Sequence, residues 1–166
     1  MEEIYLQLAK RNGWSYSVGD GRPYFMKNGE YAIPDETTTE EDKELLSSII
    51  SEGSSEMAQL ILLCWNNEIT ISGPCSGIRE FHNKQPFSLH FSFKASKDLI
   101  DPLFANMREI FPRFNHMYRK DNGFIRYDID YPLEGKELTV AESNEIFSII
   151  KEQLQIELDH SKKQKR

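Results

Sequence analysis

The stretch PFSLHFSFKA alternates apolar and polar residues, and this alternation constrains the fold more than any other feature of the chain. A β-strand sends successive side chains to opposite faces, so strict alternation predicts a strand with one buried face. Phe87, Leu89, Phe91 and Phe93 share the apolar face. His90 belongs to the polar face, and we therefore expect it to lie away from the core.

Apolar residues at helical spacing predict a helix from Ser55 to Asn66. Its buried stripe consists of Met57, Leu60, Ile61 and Cys64. A thiol in such a stripe behaves as a small hydrophobic group, so we expect Cys64 to be buried. The last helix has a similar stripe, made of Val140, Phe147, Ile150 and Leu154.

Local signals predict where other helices and turns begin. Two capping boxes indicate helix starts, Thr38 with Glu41 and Thr139 with Glu142. Asp101 followed by Pro102 predicts a third start, because proline suits the first helical position. Two glycine-containing turns predict hairpins, Asn28-Gly29 and Asp121-Asn122-Gly123.

Together these signals predict an α+β fold, with a mainly antiparallel sheet of about four to six strands and helices packed on one face. From residue 55 onward the predicted order is αββ-αββ-α, preceded by a helix, a hairpin and a helix in residues 1–53. The 166 residues fit one domain. We expect that domain to span residues 1–160, followed by a disordered basic tail at 161–166.

Charge and composition exclude several classes of function. A net charge of −7 opposes generic nucleic-acid binding. No apolar run approaches the roughly 18 residues of a membrane span, and the N-terminus lacks the pattern of a secretory signal. We therefore expect a soluble, cytoplasmic protein without a membrane partner. Two cysteines are too few for a disulfide scaffold, and no motif predicts a metal site or a cofactor.

The glycine-rich loop TISGPCSG contains the second cysteine, Cys75, and supports two interpretations. Backbone N–H groups in such a loop can lower the pKa of a thiol or hold an anion. Alternatively, the loop is a strand connection that needs glycines. In the first interpretation Cys75 is an accessible nucleophile, with His82, His90 or His116 as its base.

The string CSGI resembles the Cys-Ser-Gly-aliphatic element of papain-like cell-wall peptidases of the NlpC type, and NHMYRKDNGFIRY resembles their histidine-bearing strand. The resemblance implies acyl or peptide-bond chemistry, with Cys75 as nucleophile and His116 as base. Pro74 stands where that family has an aspartate. The same loop also resembles the CSGR loop of wybutosine-synthesis methyltransferases. Because two unrelated families match one short string, we assign the chain to neither.

Our leading hypothesis from the sequence is a protein-interaction module, of the inhibitor or immunity type. Asp128, Asp130 and Glu134 would face a basic partner protein, since complementary charge steers association. Trp14 and Tyr24 lie in a segment rich in glycine and polar residues and would act as aromatic anchors. The alternatives are that the carboxylates form a solvated face and that the aromatic residues pack the N-terminal hairpin onto the core.

Overall fold

The computed structural model describes residues 2–19, 22–51, 54–75, 88–110, 115–121, 124–132 and 140–164. Helices and antiparallel strands are mixed in them, so the predicted α+β class is confirmed. The N-terminal elements are α1 (Glu2–Asn12), β1 (Ser15–Gly19), β2 (Arg22–Lys27), β3 (Glu30–Tyr31) and α2 (Glu40–Ile50). The later elements are α3 (Ser55–Asn66), β4 (Thr70–Cys75), β5 (Ser88–Ser96), α4 (Lys97–Ile110), β6 (Asn115–Asp121), β7 (Phe124–Pro132) and α5 (Val140–Gln164).

These strands form two antiparallel sheets, one from the N-terminal hairpin region and one from the strands after residue 55. The first has the order β1-β2-β3 and the second the order β4-β5-β7-β6. The predicted Asn28-Gly29 turn joins β2 to β3, and its two residues have φ of 54° and 80°. Asparagine and glycine tolerate this left-handed conformation, which explains why the hairpin closes there. The second predicted turn includes Asn122 and Gly123, which lie outside the described residues.

Helices α3, α4 and α5 pack with β4 and β5 of the four-stranded sheet. Ile71 of β4 and Ala95 of β5 belong to the same buried cluster as apolar residues from all three helices. The helix residues of this cluster that were predicted to be buried are Met57, Leu60, Ile61, Cys64, Phe147, Ile150 and Leu154. Their burial confirms the helical stripes at these positions, while the side chain of Val140 lies outside the described ones. We call this cluster the large core.

A second, smaller cluster packs the three-stranded sheet against α1 and α2. Its buried residues are Leu8, Ala9, Trp14, Phe25, Ala32 and Leu46, and we call it the hairpin core. Ile50 and Trp65 are partly buried and pack against both clusters. The two cores therefore meet where α2 is followed by α3.

Helix α2 begins one residue later than the capping box predicted. Its N-cap is Thr39, whose hydroxyl accepts a hydrogen bond from the Asp42 backbone N–H at 3.1 Å. The Thr38 hydroxyl instead accepts one from the Asp35 backbone N–H, also at 3.1 Å. Because the two threonines are adjacent, the local sequence allows either one to be the N-cap. In the structure Thr38 stabilises the turn before the helix, and Thr39 is the N-cap.

Helix α4 begins at Lys97, before the predicted start at Asp101, and contains Pro102 in its interior. An interior proline removes one helical hydrogen bond and is normally unfavourable. Leu99 and Ile100 precede the proline and are buried in the large core. Their burial requires helical backbone before Pro102 and offsets the lost bond.

Helix α5 spans Val140–Gln164 and so includes residues 161–164, which the sequence analysis had assigned to a disordered tail. Lys162 and Lys163 lie in its last turn, where positive charge is favourable to the helix dipole. Thr139 of the predicted capping box lies outside the described residues. In the described part of the chain, no helix combines the length and apolar character needed to cross a membrane.

Candidate functional site

The four-stranded sheet has a helix-covered face and an opposite face, and the register assigns each strand residue to one of them. Directly opposed residues in an antiparallel ladder share a face, and successive residues along a strand alternate. Ile71 and Ala95 are buried against the helices, so their face is the helix-covered one. His90 has the opposite parity to Ala95 along β5, so the register assigns it to the other face. We call this second face the polar face.

One residue from each strand forms a row across the polar face. Cys75 of β4 is opposite His90 of β5, and His90 is opposite Asp130 of β7. Asp130 is in turn opposite Asn115 of β6. Neighbours in such a row have Cα atoms about 4.5–5.5 Å apart. We call these four residues the Cys75 row.

The register of β4 against β5 shifts just before Cys75. Ser72 is opposite Ser92, and the next pair joins Cys75 to His90, so β4 uses one residue more than β5 over this interval.

The register does not bring His116 together with Cys75. His116 is opposite Ile129, and Ile129 is opposite Phe91. Its strand, β6, is at the other edge of the sheet from β4, which contains Cys75. The peptidase resemblance implied that Cys75 and His116 act together, and that pairing stays a prediction. His82 lies outside the described residues.

Asp128 and Asp130 both lie on the polar face, separated by one residue of β7. The sequence analysis assigned them to a surface that faces a basic partner. A neighbouring row of the same face carries three cationic residues, Lys94, Arg126 and Arg119. The register thus assigns these two acidic residues and three basic residues to the same face. Glu134, the third predicted carboxylate, lies outside the described residues.

The outer face of the three-stranded sheet carries two stacked tyrosines. The rings of Tyr24 and Tyr31 have centroids 6.2 Å apart and planes inclined by 28°. Tyr31 is 59% exposed. A Cβ atom at Gly19 would lie 3.1 Å from Cε2 of Tyr24, which means that the Tyr24 ring lies against the backbone of β1. We call Tyr24 and Tyr31 the tyrosine pair.

Trp14, the other predicted aromatic anchor, is only 7% exposed. Its ring meets that of Phe25 edge-on, with centroids 6.2 Å apart. Phe25 also contacts Tyr5 and Tyr16, at centroid distances of 6.3 and 5.5 Å. Trp14 thus packs the hairpin core, which is the alternative that the sequence left open, whereas Tyr24 is half-buried on the outer face.

Asp42 is a buried carboxylate whose environment is structural. It accepts hydrogen bonds from Nη2 of Arg11 at 2.8 Å and from Nδ2 of Asn12 at 2.9 Å. The hydrogen bond from Arg11 is the main cause that lowers the pKa of Asp42, while burial acts in the opposite direction. Perturbed carboxylates often mark functional sites, but this one joins α1 to α2.

Cys64 lies in the large core, and burial raises the pKa of its thiol far above the ordinary value. Its predicted burial is confirmed, and a thiol in this state is unreactive. Among the side chains that the structure describes, no three His, Cys, Asp or Glu residues are grouped so as to hold a metal ion.

Comparisons with protein-family models, with curated proteins and with solved structures found no match to this chain.

Sequence reasoning missed the contribution of Tyr31 and the position of Asp130 beside His90. The position of Tyr31 could have been predicted from the turn, since a two-residue Asn28-Gly29 loop sets the register that brings Tyr31 opposite Met26. The pairing of Asp130 with His90 could not have been predicted, because no local pattern indicates which residues of β5 and β7 are opposed.

Proposed function

We propose that this protein is a protein-interaction module that binds another protein through the tyrosine pair of its N-terminal hairpin. The observation that carries this proposal is the stacking of Tyr24 on Tyr31, together with the 59% exposure of Tyr31. Tyrosine provides a large, rigid contact surface at low cost in side-chain entropy, and it is enriched among residues that dominate binding energy.

Apolar surface continues beside the pair, which supports the choice of this face. Met26 is half-buried and lies directly opposite Tyr31. Ile33 follows two residues later and is exposed, although it is large and apolar. Exposed apolar side chains that adjoin one another are typical of interaction sites, whereas isolated ones need no explanation.

The polar face of the four-stranded sheet is a weaker candidate for docking a basic protein. The register assigns Asp128 and Asp130 to the same face as the row of Lys94, Arg126 and Arg119, so that face combines acidic and basic residues. The net charge of −7 still favours a basic partner, because long-range steering depends on the whole protein. An inhibitor or immunity-type role in the cytoplasm stays a prediction from the sequence.

The test is affinity purification from the native host with three forms of the protein: wild type, Tyr31→Thr and Ile110→Thr. Ile110 is a matched control, since it is a large apolar residue that is 41% exposed on α4. We expect wild type and Ile110→Thr to retain the same partner and Tyr31→Thr to lose it. With the purified partner, loss of a dominant contact should weaken binding about tenfold or more.

Far-UV circular dichroism of both variants controls for misfolding. Equal retention of the partner by Tyr31→Thr and wild type would show that the tyrosine pair is not the docking site. Loss of the partner in both variants would show that binding follows general surface hydrophobicity rather than this face.

A further inference from the structure

We propose that the outer edge of β1 binds an extended, basic segment of another protein, which pairs with β1 and enlarges the three-stranded sheet. The backbone groups of Tyr16 and Val18 make the hydrogen bonds to this added strand, and we call these groups the β1 edge. The proposal goes beyond the proposed function and does not rest on it, because the tyrosine pair lies on β2 and β3.

The register of the sheet determines which β1 residues have backbone groups at the β1 edge. In an antiparallel ladder, residues alternate between those that exchange hydrogen bonds with one neighbouring strand and those that face the other side. The carbonyl of Phe25 accepts a hydrogen bond from the N–H of Ala32 at 2.9 Å, so the backbone groups of Phe25 face the β3 side. Those of the next residue back, Tyr24, therefore face β1, where its partner is Ser17.

Tyr16 and Val18 flank Ser17, and their backbone groups consequently face away from β2. Each of them has one N–H donor and one C=O acceptor. Within the described residues, neither forms a backbone hydrogen bond to an element other than β2, and β1 is the edge strand of its sheet. A row of unpaired main-chain groups of this kind is what an extended peptide binds when it adds a strand to a sheet.

The sequence of β1 lacks the features that usually prevent strand addition. Natural edge strands are often protected by lysine, proline, a bulge or a very short length. β1 has the sequence SYSVG, and its register against β2 runs without a shift. The opposite edge strand, β3, has only the two residues Glu30–Tyr31. Of the two edges of this sheet, the β1 edge is therefore the one that suits an added strand.

The side chains beside the β1 edge indicate an apolar residue in the added strand. Val18 lies on the same face as Tyr16, which is opposite the buried Phe25. Tyr16 is half-buried, and its ring centroid lies 5.9 Å from that of Tyr5 in α1. Val18 is 56% exposed, although it is apolar. An apolar residue directly opposite Val18 in an added strand would cover it.

The charges near the β1 edge favour a basic segment. Glu2 and Glu3 are exposed in the first turn of α1. Burial raises the pKa of Tyr16, and the negative charge of Glu2 raises it further, which means that Glu2 acts on this part of β1. A lysine opposite Tyr16 would be attracted by the same carboxylate. The net charge of −7 favours a basic partner and opposes pairing with a second copy of this chain.

The first test follows amide hydrogen exchange of the free protein by NMR. We expect the amides of Tyr16 and Val18 to exchange at least about tenfold faster than that of Ser17, whose backbone groups face Tyr24. Slow exchange at Tyr16 and Val18 at every protein concentration would show that the chain itself covers the β1 edge. Slow exchange that appears only at high concentration would identify a second copy as the occupant. Either result would overturn the proposal.

The second test adds the peptide acetyl-Thr-Val-Thr-Val-Thr-Lys-Thr-amide to the full chain. Paired antiparallel to β1, this peptide can place a valine opposite Val18 and its lysine opposite Tyr16. We expect it to slow exchange at these two amides and to leave that of Ser17 unchanged. Absence of this effect at about 5 mM peptide, a concentration that detects even weak binding, would overturn the proposal.

A peptide with glutamate in place of the lysine tests the charge of the partner. We expect it to bind at least about threefold more weakly than the lysine peptide at low salt, and high salt should remove most of the difference. Glu2→Gln should weaken binding of the lysine peptide only. Equal binding of the two peptides to the wild type would overturn the choice of a basic segment.

Val18→Pro tests the role of the backbone directly. Proline removes the N–H of residue 18 from the β1 edge without removing a hydrogen bond to β2, and edge strands tolerate it. We expect the lysine peptide to bind about tenfold more weakly to this variant. The matched control Val18→Thr keeps the N–H and a branched side chain, so its binding should stay within about threefold of wild type. Equal binding by Val18→Pro and Val18→Thr would overturn the backbone pairing.

Far-UV circular dichroism shows whether Val18→Pro is folded, and the exchange and charge tests decide the proposal if it is not. Tyr31→Thr separates this proposal from the proposed function, and we expect it to bind the lysine peptide as wild type does. Loss of peptide binding in Tyr31→Thr would mean that the peptide binds at the tyrosine pair, and the β1 edge proposal would be wrong. Retention of the purified partner by Tyr31→Thr contradicts only the proposed function.

Discussion

The two sheets of this protein are stabilised by different means. The four-stranded sheet packs on three helices through the large core, which is mainly aliphatic and includes the fully buried Leu60, Ile150 and Leu154. The three-stranded sheet has only the hairpin core, in which aromatic rings surround Phe25. Global stability should follow the larger apolar cluster, because buried apolar area is the dominant favourable contribution to folding.

Specific polar contacts compensate for the small size of the hairpin core. Asp42 binds Arg11 and Asn12 and so joins α2 to α1. The larger unit also has such a contact, since Oγ of the α3 N-cap Ser54 donates a hydrogen bond to Oδ1 of Asn144 in α5 at 2.8 Å. The unit around the hairpin core buries fewer apolar residues, so its stability depends more on the geometry of a few polar contacts.

The largest effect we predict is that of Phe147→Ala in the large core. Phe147 is almost fully buried, so its truncation should lower the free energy of unfolding by about 3–5 kcal/mol. Urea denaturation followed by far-UV circular dichroism and by tryptophan fluorescence measures the change. Since Ile50 and Trp65 pack against both cores, both probes should report one shared transition.

Ile156→Ala is the control for Phe147→Ala, because Ile156 is an exposed residue of the same helix. We expect it to cost about 0.5 kcal/mol or less. If, in a Trp65→Phe background that leaves Trp14 as the one tryptophan, Phe147→Ala shifted the circular dichroism transition but not the fluorescence transition, the two cores would unfold separately and the hairpin unit would be independent.

Asp42→Asn tests the polar link in the hairpin unit. The substitution leaves the guanidinium of Arg11 without its carboxylate partner, and we expect a loss of about 1–3 kcal/mol in the free energy of unfolding. Glu44→Gln, an exposed change on the same helix, should have a negligible effect. Urea denaturation near neutral pH compares the two variants. Equal stabilities would show that Asp42 contributes no more than a surface charge.

The pH dependence of stability should follow the same carboxylate. Hydrogen bonding from Arg11 lowers the pKa of Asp42 in the folded protein. The contribution of Asp42 to the free energy of unfolding is therefore fully present above the ordinary carboxyl pKa of about 3.9. It is lost as the pH falls through the lower pKa that Asp42 has in the folded protein. Below about pH 4, wild type should lose stability more steeply than Asp42→Asn. Parallel curves for the two proteins would contradict this assignment.

Gly29→Ala tests the turn that closes the hairpin. Gly29 has φ of 80°, and a Cβ atom there would meet nothing within 4 Å, so the cost is one of backbone conformation alone. We expect a loss of about 1–2 kcal/mol in the free energy of unfolding. Asn28→Gly keeps the left-handed conformation accessible and should cost much less. Equal losses in both variants would mean that side-chain contacts of the turn, rather than its conformation, determine its stability.

Sequence predicted the elements whose determinants are local. The helix from Ser55 to Asn66 lies where its apolar spacing indicated, and the Asn28-Gly29 turn has the conformation that its residue types favour. The capping of α2 was predicted one residue early, because Thr38 and Thr39 satisfy the same local rule. The start of α4 was predicted late, because burial of Leu99 and Ile100 overrides the preference of proline for a helix start.

The candidate sites depend on contacts between distant residues, and these could be predicted only in part. Alternation alone placed His90 and Asp130 on polar faces of their strands. Their opposition depends on the pairing of β5 with β7, and the position of Cys75 opposite His90 depends on a register shift that no local pattern indicates. Burial of Trp14 was likewise undetermined, since it depends on Phe25 and Leu8 closing around it.

Of these variants, Tyr31→Thr should have the smallest effect on the free energy of unfolding. Tyr31 is at the edge of the smaller sheet and keeps 59% of its surface exposed, so little buried area is lost. Threonine suits a strand, and only the stacking on Tyr24 disappears, so we expect a loss of about 0.5 kcal/mol in urea denaturation. A loss as large as that of Gly29→Ala would mean that the tyrosine pair holds the hairpin together. The exposure of Tyr31 would then need no partner to explain it.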